Sequence, residues 1–320
     1  MRRLSSEYEK VIVTHTDLDG IVSASLVIRY LGGYDRLYFA QPHQLWAVLC
    51  KVPSRSRLFI CDLGVNEPSL NRLINELRRI LRSGGEVYWF DHHVWDDSWI
   101  KTISKLGVKL FLDRNTCAAG VVYNSLGIKD ASTEELVKGT CSLDLWRFDH
   151  WLGNYLARVV GYRGGARWKE YLVNKLVNFN GELPNEFLGI VEEVVSKELK
   201  IITNSLRKAG VVEYGRIKLV YYYKGNEEHL TSYIANALLS RYEADVAVIC
   251  RKGSISLRSK SFNVRELAKA LGGGGHPRAA GAPLRISLIT KLLAIMGIKG
   301  PLIRKCVKSV LSKLDLMSQY

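Results

Sequence analysis

Residues 87–93 read Val87-Tyr88-Trp89-Phe90-Asp91-His92-His93, a run of β-branched and aromatic side chains that stops on a carboxylate and two imidazoles. Such an apolar run suits a strand buried on both faces, with the polar triplet at its carboxyl end. The pattern recurs upstream. Leu58-Phe59-Ile60-Cys61 runs into Asp62, and residues 11–14 run into His15-Thr16-Asp17-Leu18-Asp19-Gly20. Further strands are predicted at 37–40 and 109–112, and helical patterns at 21–31, 44–51, 68–82, 95–106 and 116–126. Strands alternating with helices predict an α/β fold, a parallel sheet with helices on both faces. Pro68 marks one helix start, and Thr116 reads as the N-cap of another. Ligands of such a sheet sit at the carboxyl ends of its strands, which draws residues 15–19, Asp62 and residues 91–93 toward one edge.

Residues 188–208 carry a long amphipathic pattern, suited to a helix joining two lobes or to a core helix of the first. Beyond it the alternation resumes, with strands at 218–223, 246–250 and 254–258 and helices at 231–241 and 264–271. The last of these runs into Gly272-Gly273-Gly274-Gly275, and a basic helix follows at 303–316. The expected organisation is a first domain over 1–187, a linker helix over 188–210 and a smaller C-terminal α/β domain over 211–320.

A carboxylate placed directly after a buried strand is costly to desolvate unless it meets a cation or hydrogen-bond donors. One such strand end is commonly just a capped helix. Three from one sheet, carrying four Asp and three His, imply a shared cation site. Oxygen and imidazole ligands without thiolate suit Mn²⁺, or Mg²⁺, better than a structural Zn²⁺. Gly20 reads as room for the backbone rather than as chemistry. A fourth element lies in Thr140-Cys141-Ser142-Leu143-Asp144-Leu145-Trp146-Arg147-Phe148-Asp149, where either Asp144 or Asp149 closes the ligand set.

The 320 residues contain 46 Lys plus Arg against 31 Asp plus Glu, a formal charge of +15. That excess favours phosphate-rich partners, although solubility or heat adaptation produces a similar surface. At 47% hydrophobic and 24% charged, the composition excludes a largely disordered chain. The six cysteines form no C-x-x-C pair and mostly sit in apolar runs, so they read as reduced, small buried hydrophobes of a cytoplasmic protein. Residues 1–10 are polar and no apolar run reaches membrane-spanning length, so neither a signal peptide nor a membrane span is expected.

Taken together, the H-x-D-x-D-G segment, the strand-borne Asp62, Asp91-His92-His93 and the later Asp resemble the four motifs of the DHH phosphoesterases. Gly273-Gly274-Gly275-His276-Pro277-Arg278-Ala279-Ala280-Gly281 resembles the G-G-G-H-x-x-A-A-G signature of the DHH-associated substrate domain. The family includes RecJ-type exonucleases, oligoribonucleases that degrade very short RNA and cyclic dinucleotide phosphodiesterases. The resemblance implies His15, Asp17 and Asp62 on one metal ion, and Asp19, Asp62, His92 and Asp144 on a second, with Asp62 bridging. It implies that Asp91 orients the imidazoles and that His93 faces the scissile phosphate. Substrate contacts fall by the same resemblance to Arg258, Gly273, Gly274, Gly275, His276 and Arg278. The spacing from Gly139 to Asp144 departs from many members, and the Asp-Leu-Trp form looks more like the oligoribonuclease branch.

The expected activity is therefore a two-metal, Mn²⁺-dependent exonuclease that releases mononucleotides from single-stranded DNA or RNA or from short oligonucleotides. In this picture one domain holds the cations and the glycine run of the other lets backbone N–H groups approach the terminal phosphate. Two rivals stand beside it. One is a phosphoesterase of small nucleotides, such as a nucleoside 3′,5′-bisphosphate or a cyclic dinucleotide. The other is a RecJ-like scaffold of the replisome. The wider partner set admits replication or repair proteins and a second copy of the chain.

Overall fold

The computed structural model describes residues 8–225 and 230–317, with the side chains of 315–317 left aside. The chain forms two compact units, Met1–Val191 and Glu192–Tyr320. The division falls within one helix, Asn185–Lys208.

The first unit is built on five parallel strands, β1 (Glu9–Thr14), β2 (Arg36–Phe39), β3 (Ser56–Cys61), β4 (Glu86–Asp91) and β5 (Lys109–Leu112), in the order β2-β1-β3-β4-β5. This is the parallel α/β sheet that the alternating pattern predicts. Successive side chains of a strand point to opposite faces. Val11, Val13, Leu58, Ile60, Val87 and Trp89 accordingly pack on one face with Leu73, Leu77, Ile80 and Ile103. On the other, Phe90 stacks on Phe111 at 4.7 Å. Trp89 is fully buried and its indole N–H donates to the Leu63 carbonyl, so truncation to Ala would cost about 3–5 kcal/mol.

The strand order fixes where a ligand can enter. The chain leaves β1 for β2 on one side, and β3 lies on the other, so the crossovers diverge at the carboxyl end of β1. That divergence opens a crevice beyond β1 and β3. His15 to Gly20 lead out of β1 there, and Asp62 directly follows β3.

Three helices of the first unit were not legible as separate elements: Ala131–Asp144, Trp151–Tyr162 and Ala166–Val177. The first packs on Trp151–Tyr162 and, with Ala118–Ser125, on the helix Leu18–Leu31. Gly139 and Gly153 make the first crossing close: a Cβ on Gly153 would stand 2.0 Å from the Gly139 carbonyl oxygen. Trp95 opens no helix, because Asp96 caps one over Asp97–Ser104. The predicted N-cap at Thr116 is also displaced. Cys117 occupies that position, and its side chain makes no cap hydrogen bond.

The second unit carries a six-stranded mixed sheet, in the order β10-β11-β9-β8-β7-β6. Its strands are β6 (Gly210–Tyr214), β7 (Ile217–Tyr223), β8 (Val246–Arg251), β9 (Ser254–Arg258), β10 (Gly274–Gly275) and β11 (Ala279–Pro283). Only β7 and β8 run parallel. Leu219, Val248, Leu257 and Leu267 centre its core, closed by Leu302 and Val310 of the helix Gly300–Met317.

The cysteine reading needs correction. Cys117 is bonded to Cys141, and Cys250 to Cys306. Cys50 and Cys61 are free. Each bonded pair comes from two different elements that pack together, a proximity that spacing along the chain does not reveal. Among the described residues no helix is long and apolar enough to cross a membrane.

Candidate metal centre

Thr14, the last residue of β1, donates its hydroxyl to the Gly20 carbonyl and folds the intervening segment back on itself. Gly20 must lack a side chain for this turn: a Cβ would stand 2.6 Å from the His15 carbonyl oxygen. Asp17 then caps the helix Leu18–Leu31 through the Gly20 amide and holds its other oxygen 2.8 Å from His15 Nδ1. Asp62 has the left-handed φ of +56°, which only Gly, Asn and Asp adopt at modest cost. The strain aims its carboxylate across the crevice, with Oδ2 3.5 Å from His15 Nδ1 and Oδ1 3.6 Å from His92 Nε2.

Asp62 thus belongs to three groups whose ligand atoms lie within 4.8 Å of one another: with His15 and Asp17, with Asp19 and His92, and with Asp91 and His93. Asp144, the last residue of its helix, stands with Oδ2 3.4 Å from His92 Nε2. Asp149 lies apart, 61% exposed and facing Arg147 at 3.5 Å. The geometry therefore brings Asp144, and not Asp149, to the cluster.

Asp19 is held from outside its own helix. Its two oxygens accept the Ala118 and Ala119 amides at 2.7 and 2.8 Å, so it caps the helix Ala118–Ser125 across about a hundred residues of chain. This is the cap that Thr116 does not supply. A helix N-terminus favours such an anion, yet burial, and then Asp62 and Asp144 nearby, hold the Asp19 carboxyl well above the usual range.

The electrostatics define what the cluster lacks. Burial raises Asp62 to about 6, with the Asp17 charge adding to it. Burial alone would lower the two imidazoles, but neighbouring carboxylates outweigh it and lift His15 to about 12 and His92 to about 11. Four crowded carboxylates, of which Asp19 and Asp62 are buried, demand positive charge, which protons supply when nothing else does. Asp62 Oδ2 and Asp144 Oδ2 are buried and accept no hydrogen bond. Two imidazoles and four carboxylates, those two oxygens among them, fit a divalent cation, and the shared Asp62 fits a pair.

Around this shell, Asp91 is fully buried and pairs with His93 Nδ1 at 2.7 Å, while Trp95 donates its indole N–H to the second oxygen at 2.7 Å. The orienting contacts of Asp91 thus include Trp95, which sequence reading missed. Burial would lower His93, but the Asp91 charge raises it to about 9. Gln41 was also missed. Its Oε1 lies 3.1 Å from His15 Nε2, and its amide nitrogen donates to the Thr16 hydroxyl. It follows β2 with no periodic signal, and only the sheet order brings it beside β1.

In the second unit, Arg258 is half-buried and donates to Ser232 Oγ and to the Leu257 and Ala280 carbonyls. The glycine run is held by its own backbone hydrogen bonds. Gly272 and Gly273 close the helix Val264–Ala270 by donating to the Lys269 and Ala268 carbonyls, and His276 donates its amide to Ala279. Gly274 and Gly275 pair with β11. The glycines are needed because a Cβ on Gly273 would stand 2.0 Å from the Gly281 oxygen, and one on Gly275 2.7 Å from the Ala279 oxygen. The amides of Gly273 and His276 are therefore spent on the backbone. Arg278 directs its carbonyl to the Ser259 amide, which anchors the turn that carries His276.

A parallel α/β domain with an imidazole and carboxylate cluster at its strand ends, followed by a mixed-sheet domain, defines a class of phosphoester-cleaving proteins. The chain belongs to the DHH family of phosphoesterases: residues 9–143 match the DHH family N-terminal domain and residues 216–297 the DHHA1 domain. No curated protein matches the chain in sequence. Among solved structures, it is similar to the pGpG-specific phosphodiesterase PggH from Vibrio cholerae, with TM-score 0.56 and 18% identity over 92% of this chain and 99% of that one. It is similar to RecJ from Thermus thermophilus in complex with Mn²⁺, with TM-score 0.59 and 14% identity over 94% of this chain and 51% of that one. CDC45 from Entamoeba histolytica matches with TM-score 0.54 and 8% identity over 96% and 95%. At these identities the likeness is one of fold.

Proposed function

We propose that this chain is a Mn²⁺-dependent phosphodiesterase that removes mononucleotides from single-stranded nucleic acid or short oligonucleotides. The observation that carries the reading is Asp62, whose strained backbone sets one carboxylate between His15 with Asp17 and Asp19 with His92. A pair of divalent cations held there by His15, Asp17, Asp19, Asp62, His92 and Asp144 would activate water and neutralise charge on the attacking and leaving oxygens. His93, kept protonated by Asp91, donates to a phosphate oxygen as negative charge builds. Trp95 and Asp91 hold that imidazole in place. Arg258, His276 and Arg278 grip the phosphate of the terminal nucleotide. The +15 charge of the chain supports a polymeric polyanion.

A second reading is a dinucleotide-specific phosphodiesterase, favoured by the match to PggH over 99% of that protein. A scaffold without chemistry is disfavoured by the full set of carboxylates and imidazoles, although replication or repair proteins remain candidate partners for an active enzyme. Incubation with Mn²⁺ and end-labelled DNA and RNA of two to thirty nucleotides tests these readings. Progressive shortening of long strands supports the exonuclease, consumption of dinucleotides alone supports the second reading, and no cleavage of either refutes both.

A further inference from the structure

The helix Trp151–Tyr162 buries Leu152, Leu156, Val159 and Val160. Its opposite face would ordinarily carry Lys and Glu. Instead Trp151, Tyr155, Arg158 and Tyr162 follow one another at helical spacing, and Trp151 is 59% exposed. Trp151 meets Tyr155 edge to face at 5.9 Å. Just past the helix, the Arg163 guanidinium lies over both the Tyr162 and the Trp168 rings, at 5.3 and 5.5 Å. Tyr162, Arg163, Arg167 and Trp168 bound a cavity of about 660 Å³. Trp168 is fixed there by its indole N–H on the Val159 carbonyl and by stacking on Tyr171 at 5.2 Å.

We infer that this face is a stacking track for a single-stranded polynucleotide, an extension of the proposed active site that engages nucleotides beyond the scissile linkage. Flat aromatic rings alternating with guanidiniums match alternating bases and phosphates, and they do so for any sequence. From Trp151 to Tyr162 the helix rises about 16 Å, a span of about five stacked nucleotides at about 3.4 Å each. The track starts beside the metal centre, because only the short turn after Asp144 separates that ligand from the helix. Arg158, Arg163 and Arg167 set its charge, while the acidic group at the cavity, Glu186, is engaged by Tyr171 and Lys175.

The inference rests on the proposed activity, but its test does not need catalysis. Binding of fluorescein-labelled (dT)12, (rU)12 and (dT)2 is measured by anisotropy in EDTA. Replacing Trp151, Tyr155 and Trp168 together by Ala weakens (dT)12 or (rU)12 binding by about 30-fold or more, leaves (dT)2 within about twofold, and Phe at the same positions restores it. Replacing Arg163 and Arg167 by Gln, which leaves the rings in place, lowers the magnitude of the slope of log affinity against log salt by about 1.4. Unchanged 12-mer affinity in both variants overturns the inference. So does equal loss for (dT)2, or a change of oligomeric mass with 12-mer affinity intact, which marks the face as a protein contact. If the wild type cleaves nothing yet the aromatic variant loses the 12-mer, the track stands and the exonuclease reading falls.

Discussion

Gln41 accepts at Oε1 from His15 Nε2 across 3.1 Å, so the imidazole turns Nδ1 toward Asp17 and Asp62. A ring whose far nitrogen holds its proton on an amide presents a lone pair at the near one. Gln41→Ala should lower Mn²⁺ affinity by about 10- to 100-fold with the fold intact, as read by calorimetry. Because His15 and His92 lie at about 12 and about 11 without a cation, binding must displace their protons. Affinity should rise with pH between 6 and 8, and titration in buffers of different ionisation enthalpy should report proton release.

Asp62→Asn separates charge from backbone. Asn tolerates a φ of +56° nearly as well as Asp, so the turn after β3 should survive while the shared ligand is lost. Activity should fall to background. In EDTA at pH 8 the melting temperature should equal or exceed that of the parent, since a crowded buried carboxylate has gone. A large loss of stability would show that the carboxylate supports the fold.

His93 and Asp91 give a pH signature. Asp91, although burial opposes it, is held below the usual carboxylate range by the His93 charge, and His93 is raised to about 9. The His93 contribution to stability is complete below its unfolded value of about 6.5 and is lost as pH rises through about 9. The Asp91 contribution is present above about 4 and is lost as pH falls through its depressed value. The melting-temperature difference between parent and His93→Gln in EDTA should therefore be largest near neutrality and vanish by pH 10. Turnover should fall about 10²- to 10³-fold in His93→Gln with Mn²⁺ affinity little changed.

The disulfides predict two distinct responses to reduction. Cys117 to Cys141 joins the helix whose amides hold Asp19 to the helix that ends on Asp144. Breaking it by Cys141→Ser should cost about 3 kcal/mol of stability and weaken Mn²⁺ binding. Cys306→Ser opens the bond in the second unit and should lower stability alone. Thiol titration of the unreduced, denatured chain should count two groups, Cys50 and Cys61.

The sheet was legible because β1, β3 and β4 are short apolar runs that end on or lead straight into a polar residue, and its order brings His15, Asp17, Asp19, Asp62 and His92 together. Helices at 131–177 escaped because their apolar positions are interrupted by Gly139, Gly153 and exposed aromatics, which blur the helical period. Gln41 and Trp95 escaped for a different reason. Gln41 reaches His15 only because β2 neighbours β1, and Trp95 reaches Asp91 through a local turn that no periodicity marks. The glycine run was legible as a special backbone, but its cause is steric closeness to β11 and not open amides.

Asp19 answers to two masters. The carboxylate that belongs to the cation cluster also closes the end of the helix Ala118–Ser125. Neutralising most members of an acidic cluster relieves repulsion, but removing this one strands two buried N–H groups. The fold therefore needs Asp19 for a reason separate from hydrolysis. In a silent relative, the informative losses would be His15 or Asp144, because Asp17, like Asp19, also caps a helix.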